Sequence, residues 1–447
     1  MSLTDREPGT ASIPPEPSPV TRRSRTTVAD VVRALTEGVP PIRITGYDGT
    51  GVGPADSGIT LTVRSERGLS YLITAPGDLG LARAYVSGDL VLDGVHPGDP
   101  YEALRLLKDE LRVRTPAVTE MVELVRRLGW ERLLPPTPPP QEALPRWRRL
   151  MGGLRHSRSR DSTAISHHYD VSNAFYERVL GPSMTYTCAV FRSGQDTLEQ
   201  AQAAKYDLVA QKLGLRSGMR LLDVGCGWGG MVRHAAREYG VRALGVTLSA
   251  AQAQWARAAI EREGLAGLAE VRHLDYRDAP RERFDAVSSI GLTEHVGVRN
   301  YPGYFVALRD RLRPEGRLLN HCITRADNRA PHRSGAFIDR YVFPDGELAG
   351  PGRLIGEIHD VGFEVQHEEN LRRHYALTLA AWGRNLVANW GDCVGEVGAG
   401  TARVWGLYMA GSRLAFERNG IQLHQVLATR TGPDGRSRHP LRPDWTP

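Results

Sequence analysis

The chain has 447 residues, too long for one ordinary hydrophobic core, so two or three domains are expected. Hydrophobic residues make up 41 %, enough for globular packing, and the net charge of +6 suits an anionic partner, a nucleic acid or a membrane surface. Cys188, Cys226, Cys322 and Cys393 lie far apart with no CxxC spacing, which excludes a structural zinc site and reads as a reduced, intracellular protein. No apolar run approaches the ~20 residues of a membrane span, so any membrane contact is expected to be peripheral.

In chain order, residues 1–27 are rich in Pro, Ser, Thr and Arg with no apolar signal region and read as a disordered tail. A short helix over "VADVVRALTEG" opens a small α+β domain taken as 28–112. Within it "IRITGY", "ITLTVRS" and "LSYLITAP" are predicted as half-buried strands between Gly and Asp turns. Residues 113–160 read as a linker. Helical apolar spacing runs over 116–134, "PPTPPP" at 135–140 ends it, and 145–160 carries six arginines and no acid. The last stretch is either a solvated basic linker or a contact with an anionic membrane, with Trp147, Leu150, Met151 and Leu154 at helical spacing.

From about residue 200 strands and helices alternate: "MRLLDVG", "MVRHAAREYG", "VRALGVTLS", "AQAQWARAAIEREG", "AEVRHLDY", "FDAVSSIG", "GRLLNHCIT". This order argues for a doubly wound, mostly parallel sheet. "FEVQHEEN" and "IQLHQVLATR" would complete it as an antiparallel pair. Between the first strand and helix stands "LLDVGCGWGG", 221–230. Its glycines permit a sharp turn and close approach of a ligand to the backbone. The next strand ends "GVTLSAAQ" without the carboxylate that a nicotinamide dinucleotide would need for its ribose.

The loop with Asp223 ahead of it resembles motif I of S-adenosylmethionine-dependent methyltransferases. "HHYDVSNAFYERVLGPSMTYTCAVF" (167–191), "GVTLS", "DYRD", "EHVG", "FIDRYVFPDGEL" and "ENLRRHYALTLAAW" resemble, in that order, the cyclopropane-fatty-acyl-phospholipid synthase and mycolic-acid methyltransferase family. The resemblance covers about 160–430, and more faintly the first domain through "GLARAYVSGDLVLDG". It implies a class I, Rossmann-like methyltransferase domain over 161–447, with a mostly parallel seven-stranded sheet and an acyl-chain tunnel. It implies transfer of a methyl group to the cis double bond of an acyl chain in a membrane phospholipid. It also implies a bicarbonate ion as proton acceptor, held by Glu294, His321, Tyr375 and the backbone of Cys188 and Ile323, with no metal. The cofactor residues carried over are Tyr169, Tyr186, Thr187, Asp223, Gly225, Gly227, Thr247, Ser249, Gln252, Asp275 and Tyr276. Taken singly, each catalytic candidate also fits a plain structural use; together at family positions they point to chemistry.

Thr293, Asn320 and Cys322 depart from the usual pattern around the glutamate and histidine. The segment "VWGLYMAGSRLAFERNGIQLHQVLATR" resembles the actinobacterial branch that makes methylene-branched, 10-methyl-precursor chains. The expected product is therefore a methylene branch, with a cyclopropane ring as the alternative. A separate reductase partner would then be needed. The expected place is cytoplasmic, on the inner face of the plasma membrane, and a homodimer is one option for assembly. A nucleic-acid substrate is not expected, since "SIGLTEHVG" stands where an "NPPY"-type loop would be. A soluble small-molecule substrate is the other class weighed.

Overall fold

The computed structural model describes residues 26–114, 134–143, 172–329, 335–344 and 346–445, with a few positions between 117 and 127. Helix α1 (Val28–Leu35) begins at Thr27. The Thr27 hydroxyl accepts from the Asp30 N–H, and the Asp30 carboxylate accepts from the Thr27 N–H, a reciprocal cap that satisfies two free donors. Then follow β1 (Thr36–Glu37), β2 (Arg43–Gly46), β3 (Gly51–Val52), β4 (Thr60–Val63), α2 (Glu66–Thr74), α3 (Asp78–Ser87), β5 (Leu90–Asp93), α4 (Tyr101–Glu110) and β6 (Arg112–Val113). Four of these strands form a sheet in the order β3-β2-β4-β5. Its apolar face packs on Val28, Val31, Leu69, Tyr71 and Tyr85.

One predicted strand is a helix. "LSYLITAP" lies largely in α2, not in the sheet. Leu69, Tyr71 and Ile73 alternate as in a strand, but Leu69, Leu72 and Ile73 also have helical spacing. The tie is broken upstream, where the Ser65 hydroxyl accepts from the Gly68 N–H at 3.0 Å and caps a helix. The helix expected over 116–134 lies mostly outside the described residues; positions 119, 120, 123, 126 and 127 are helical. The basic segment 145–160 and the tail before residue 26 also lie outside them.

The second half opens with α5 (Asn173–Leu180) and α6 (Leu198–Leu213). It continues through β7 (Arg220–Val224), α7 (Gly230–Tyr239), β8 (Arg242–Thr247), α8 (Ala250–Arg262), β9 (Ala269–His273) and β10 (Phe284–Ile290). Then come α9 (Thr293–Val296), α10 (Tyr301–Arg311), β11 (Leu312–Arg325), α11 (Pro351–Asp360), β12 (Glu364–Asn370), α12 (Arg372–Ala388), α13 (Trp390–Glu417) and β13 (Ile421–Thr429). Seven strands make one sheet in the order β12-β13-β11-β10-β7-β8-β9. β13 pairs antiparallel with both neighbours, and β7 to β11 pair in parallel. The chain order reverses between β7 and β10, so ligands are expected beyond the C-terminal ends of those two strands.

The N-terminal unit docks on α13. A side chain at Gly406 would meet the Pro97 carbonyl at 2.5 Å, so the two backbones approach as closely as glycine allows. Arg413 lies over the Tyr101 ring, 3.7 Å from its centre, and Tyr101 donates to Glu417. A second tie runs through Glu142, whose fully buried carboxylate takes Arg83 of α3 at 2.6 Å and also pairs with Arg340. Removing one member of a buried ionic group strands the others without partners. Glu142→Gln should therefore cost on the order of 3 kcal/mol in chemical denaturation. An unchanged midpoint would show that this triad carries no stability.

Candidate active site

The glycine loop follows β7. Gly225 and Cys226 both donate their N–H to the Val246 carbonyl of β8, at 2.9 and 3.0 Å, which pins the turn across the top of the sheet. Gly227 has φ +55°, and a side chain there would enter open space. Gly230 is the opposite case: a side chain would meet the Tyr206 hydroxyl at 2.0 Å. One glycine thus leaves room for a ligand, and the other lets α7 pack on α6.

The cleft above this loop is lined by Tyr186, Thr187, Lys205, Asp223, Gly225, Gly227, Trp228, Thr247, Gln252, Tyr276, Leu292 and His295. Asp223 accepts from the Ser288 hydroxyl at 2.6 Å, and burial pushes its carboxyl up to about 7. The Lys205 ammonium donates to Thr187 at 3.1 Å and sits over the Tyr206 ring; burial pulls it down to about 7. Thr247 donates to the Gln252 side-chain oxygen at 2.8 Å. The Trp228 indole donates to Asn173 at 2.9 Å, fixing the far wall.

Eight of the cofactor residues expected from sequence line this cleft: Tyr186, Thr187, Asp223, Gly225, Gly227, Thr247, Gln252 and Tyr276. Ser249 instead caps α8 by accepting from the Gln252 N–H at 3.2 Å. Asp275 pairs its carboxylate with Arg277 at 2.9 Å and is not among the residues lining the cleft. Tyr169 lies outside the described residues. Sequence reasoning missed Lys205, Trp228 and His295. Lys205 had a signal in the sequence, a cation between Ala204 and Tyr206 in a largely apolar stretch of helix, and Lys212 repeats it seven residues on.

A second cavity of about 350 Å³ adjoins the cleft, with walls that include Phe337, Ile338, Phe343, Leu379, Tyr408, Phe416 and Leu423. Tyr186, Thr187, Gly291 and His295 line both spaces, so the two meet at the C-terminal end of β10. Cys188, Glu294, His321, Ile323 and Tyr375, the whole expected catalytic set, line the second cavity. Glu294 Oε1 accepts from the Ile323 N–H at 2.8 Å. Glu294 Oε2 and His321 Nε2 are buried and have no hydrogen-bond partner among the described residues. Burial pushes the Glu294 carboxyl up to about 7 and holds the His321 imidazolium far below the usual range. Burial also pushes the Cys188 thiol well above its ordinary range, which disfavours the thiolate. Thr293 donates to Asn320 at 2.6 Å, and the Asn320 amide reaches Cys322. Thr293, Asn320 and Cys322 thus form a buried hydrogen-bonded group beside Glu294 and are not among the residues lining the cavity.

The family model for mycolic acid cyclopropane synthetase matches residues 156–426. The chain belongs to that family. It is 60 % identical to a probable fatty acid methyltransferase of Mycobacterium tuberculosis, over 95 % of this chain and 99 % of the relative. It is 35 % identical to the cyclopropane-fatty-acyl-phospholipid synthase of Escherichia coli, over 60 % of this chain and 68 % of the relative. Among solved structures it resembles the mycolic acid cyclopropane synthase CmaA1 in complex with SAH and CTAB. That likeness has a TM-score of 0.57 and 32 % identity, over 60 % of this chain and 98 % of that one. The cyclopropane synthase MmaA2 of Mycobacterium tuberculosis gives the same TM-score at 30 % identity, over 61 % of this chain and 98 % of that one. The fold is that of the class I S-adenosylmethionine-dependent methyltransferases.

The cleft fits that cofactor on its own terms: a glycine whose side-chain position is open, and an acid, hydroxyls and an aromatic ring at the strand ends. Gly227→Ala should abolish measurable S-adenosylhomocysteine binding by calorimetry. Gly264→Ala is the control, because its φ is +68° and its side-chain space is also open, yet it lies away from the cleft. Both substitutions carry the left-handed strain of about 1–2 kcal/mol. Equal affinities in the two variants would remove the loop from cofactor binding.

Proposed function

We propose that this chain transfers a methyl group from S-adenosylmethionine to the cis double bond of an oleoyl-type acyl chain in a membrane phospholipid, and that the product carries a methylene branch. The observation that carries the reading is the junction of a cofactor-type cleft with a largely apolar cavity, where Glu294, His321 and Arg325 each keep a buried polar atom without a hydrogen-bond partner among the described residues. A substrate made mostly of methylenes suits such walls. A polar soluble substrate would leave its hydrogen-bonding groups unpaired there.

When bound, S-adenosylmethionine supplies an electrophilic methyl group. The protein's own residues do the rest. An alkene is a weak nucleophile, so the cavity must hold it aligned at the junction. Methylation of an alkene leaves positive charge on the chain, and the apolar walls keep water from it. The charge is quenched by loss of a proton to a base inside the cavity. Glu294 and His321 fit a bicarbonate ion in that role. A protonated Oε2 on Glu294 and an N–H on His321 would both donate to the anion, and Ile323 holds Oε1 in place.

The methylene product rests on the resemblance of residues 404–430 to the methylene-forming branch; the likeness to a probable fatty acid methyltransferase fits methyl transfer to an acyl chain and does not distinguish the products. Ring closure is the second reading, favoured by the name of the Escherichia coli relative; both outcomes start from one cation and lose a proton of the added methyl group, and the methylene product requires a hydride shift first. The basic segment 145–160 would bring the protein to anionic bilayers, and a separate reductase would be needed to saturate the branch. In lipids from a host rich in oleoyl chains and expressing this protein alone, proton NMR should show downfield vinylidene signals. Upfield ring signals alone would assign ring closure.

Glu294→Gln should keep S-adenosylhomocysteine affinity and lose turnover by at least about 100-fold; near-normal turnover would remove Glu294 from the mechanism. The same variant has a stability signature. The folded state favours the protonated acid, with a pKa of about 7 against the ordinary 4.5. That contribution is full below about pH 4.5 and is lost as pH rises through about 7. Glu294→Gln should therefore match the wild type at pH 4 and exceed it at pH 8, by up to about 3 kcal/mol. Equal stabilities at both pH values would mean that Glu294 is not held in a desolvated site.

A further inference from the structure

His321 of β11 stands directly opposite Gln425 of β13, and Gln425 stands opposite Glu369 of β12. Directly opposed residues share a sheet face, so the three side chains form a row across three strands. Lys212 of α6 reaches into this row. Its ammonium donates to Gln425 Oε1 at 2.7 Å and pairs with Glu369. His321, Lys212 and Gln425 are all essentially without solvent contact.

The row has a direction. An ammonium can only donate, so the Gln425 atom facing Lys212 has to be its oxygen. The Gln425 NH₂ is then turned to His321 Nδ1, at 3.2 Å. An amide NH₂ can only donate as well, so Nδ1 has to be an acceptor and carries no proton. A neutral imidazole with a bare Nδ1 has its proton on Nε2. That nitrogen is the one that is buried and without a partner among the described residues, in a residue lining the acyl cavity.

We propose that Lys212 and Gln425 are positioning residues that lock His321 in the Nε2–H tautomer, so that His321 serves the acyl cavity as a hydrogen-bond donor and not as the base. The inference rests on the active-site reading above and narrows it. The proton lost by the chain then goes to the anion held by Glu294 and His321, and to neither side chain. Burial and the nearby Lys205 and Lys212 charges act in the same sense, by opposing an imidazolium.

The test is nitrogen NMR of the full-length protein labelled in histidine, with the His321 ring signals assigned through His321→Gln. The wild type should show a protonated Nε2 and a bare Nδ1 near neutral pH. In Gln425→Glu the carboxylate can only accept, so the proton should move to Nδ1. Turnover should fall about 10- to 100-fold, with S-adenosylhomocysteine affinity held within about twofold, as expected for a residue outside the cofactor cleft. Lys212→Met should free the amide to rotate and give mixed ring signals, whereas Lys212→Arg keeps a donor and should restore the wild-type pattern. This pair gives the same readout if Gln425→Glu fails to fold. A wild-type ring protonated on Nδ1, or ring signals indifferent to both the Gln425 and the Lys212 substitutions, would overturn the proposal. Full turnover in His321→Gln would overturn the active-site reading instead, and leaves the ring signals as the separate test of the tautomer.

Discussion

The desolvation of two ionisable side chains, Glu294 and His321, in a largely apolar cavity governs the proposed active site. A carboxyl and an imidazole in such a place resist being charged and leave any unused polar atom unpaired. Glu294 meets this by rising toward neutrality and taking one backbone N–H. His321 meets it by remaining neutral and taking one side-chain amide. Each keeps one atom for a ligand. A strongly basic or strongly acidic pair would draw in water, and water is what a cation on an acyl chain cannot survive.

The surrounding architecture serves that constraint. The reversal of chain order between β7 and β10 puts the glycine loop and Glu294 on adjacent strand ends, so cofactor cleft and acyl cavity share a wall. Phe337, Ile338 and Phe343, with Tyr408, Ala415 and Phe416 of helix α13, supply much of the cavity wall. The N-terminal unit is not remote from this: Asp78 of α3 lines the same cavity and accepts from the Phe337 N–H at 3.2 Å. Glu142 ties that unit to Arg340 beside it.

The sheet was legible because its strands are separated by helices of clear period; all seven strands fall where alternation put them. The exception, α2, is a short run that satisfies both periods and is settled by a cap at Ser65. The glycine loop was legible because left-handed turns demand glycine and leave it in the sequence. Glu294, His321 and Tyr375 carry no such local mark, and only the resemblance singled them out. The roles of Gln425 and Lys212 were invisible, because they meet His321 through strand register and helix packing across more than a hundred residues. Asp275 was read as a ligand group from its place at a strand end; in the structure its carboxylate pairs with Arg277, two residues on.

The central claim is that the cleft and the cavity work as one site on unsaturated acyl chains. Transfer of labelled methyl from S-adenosylmethionine tests it most directly, with purified protein offered vesicles of dioleoyl phospholipid, vesicles of a saturated phospholipid, and RNA and DNA. The account predicts label in the acyl chains of the dioleoyl lipid and in nothing else. Label in nucleic acid, in a headgroup or equally in the saturated lipid would contradict it.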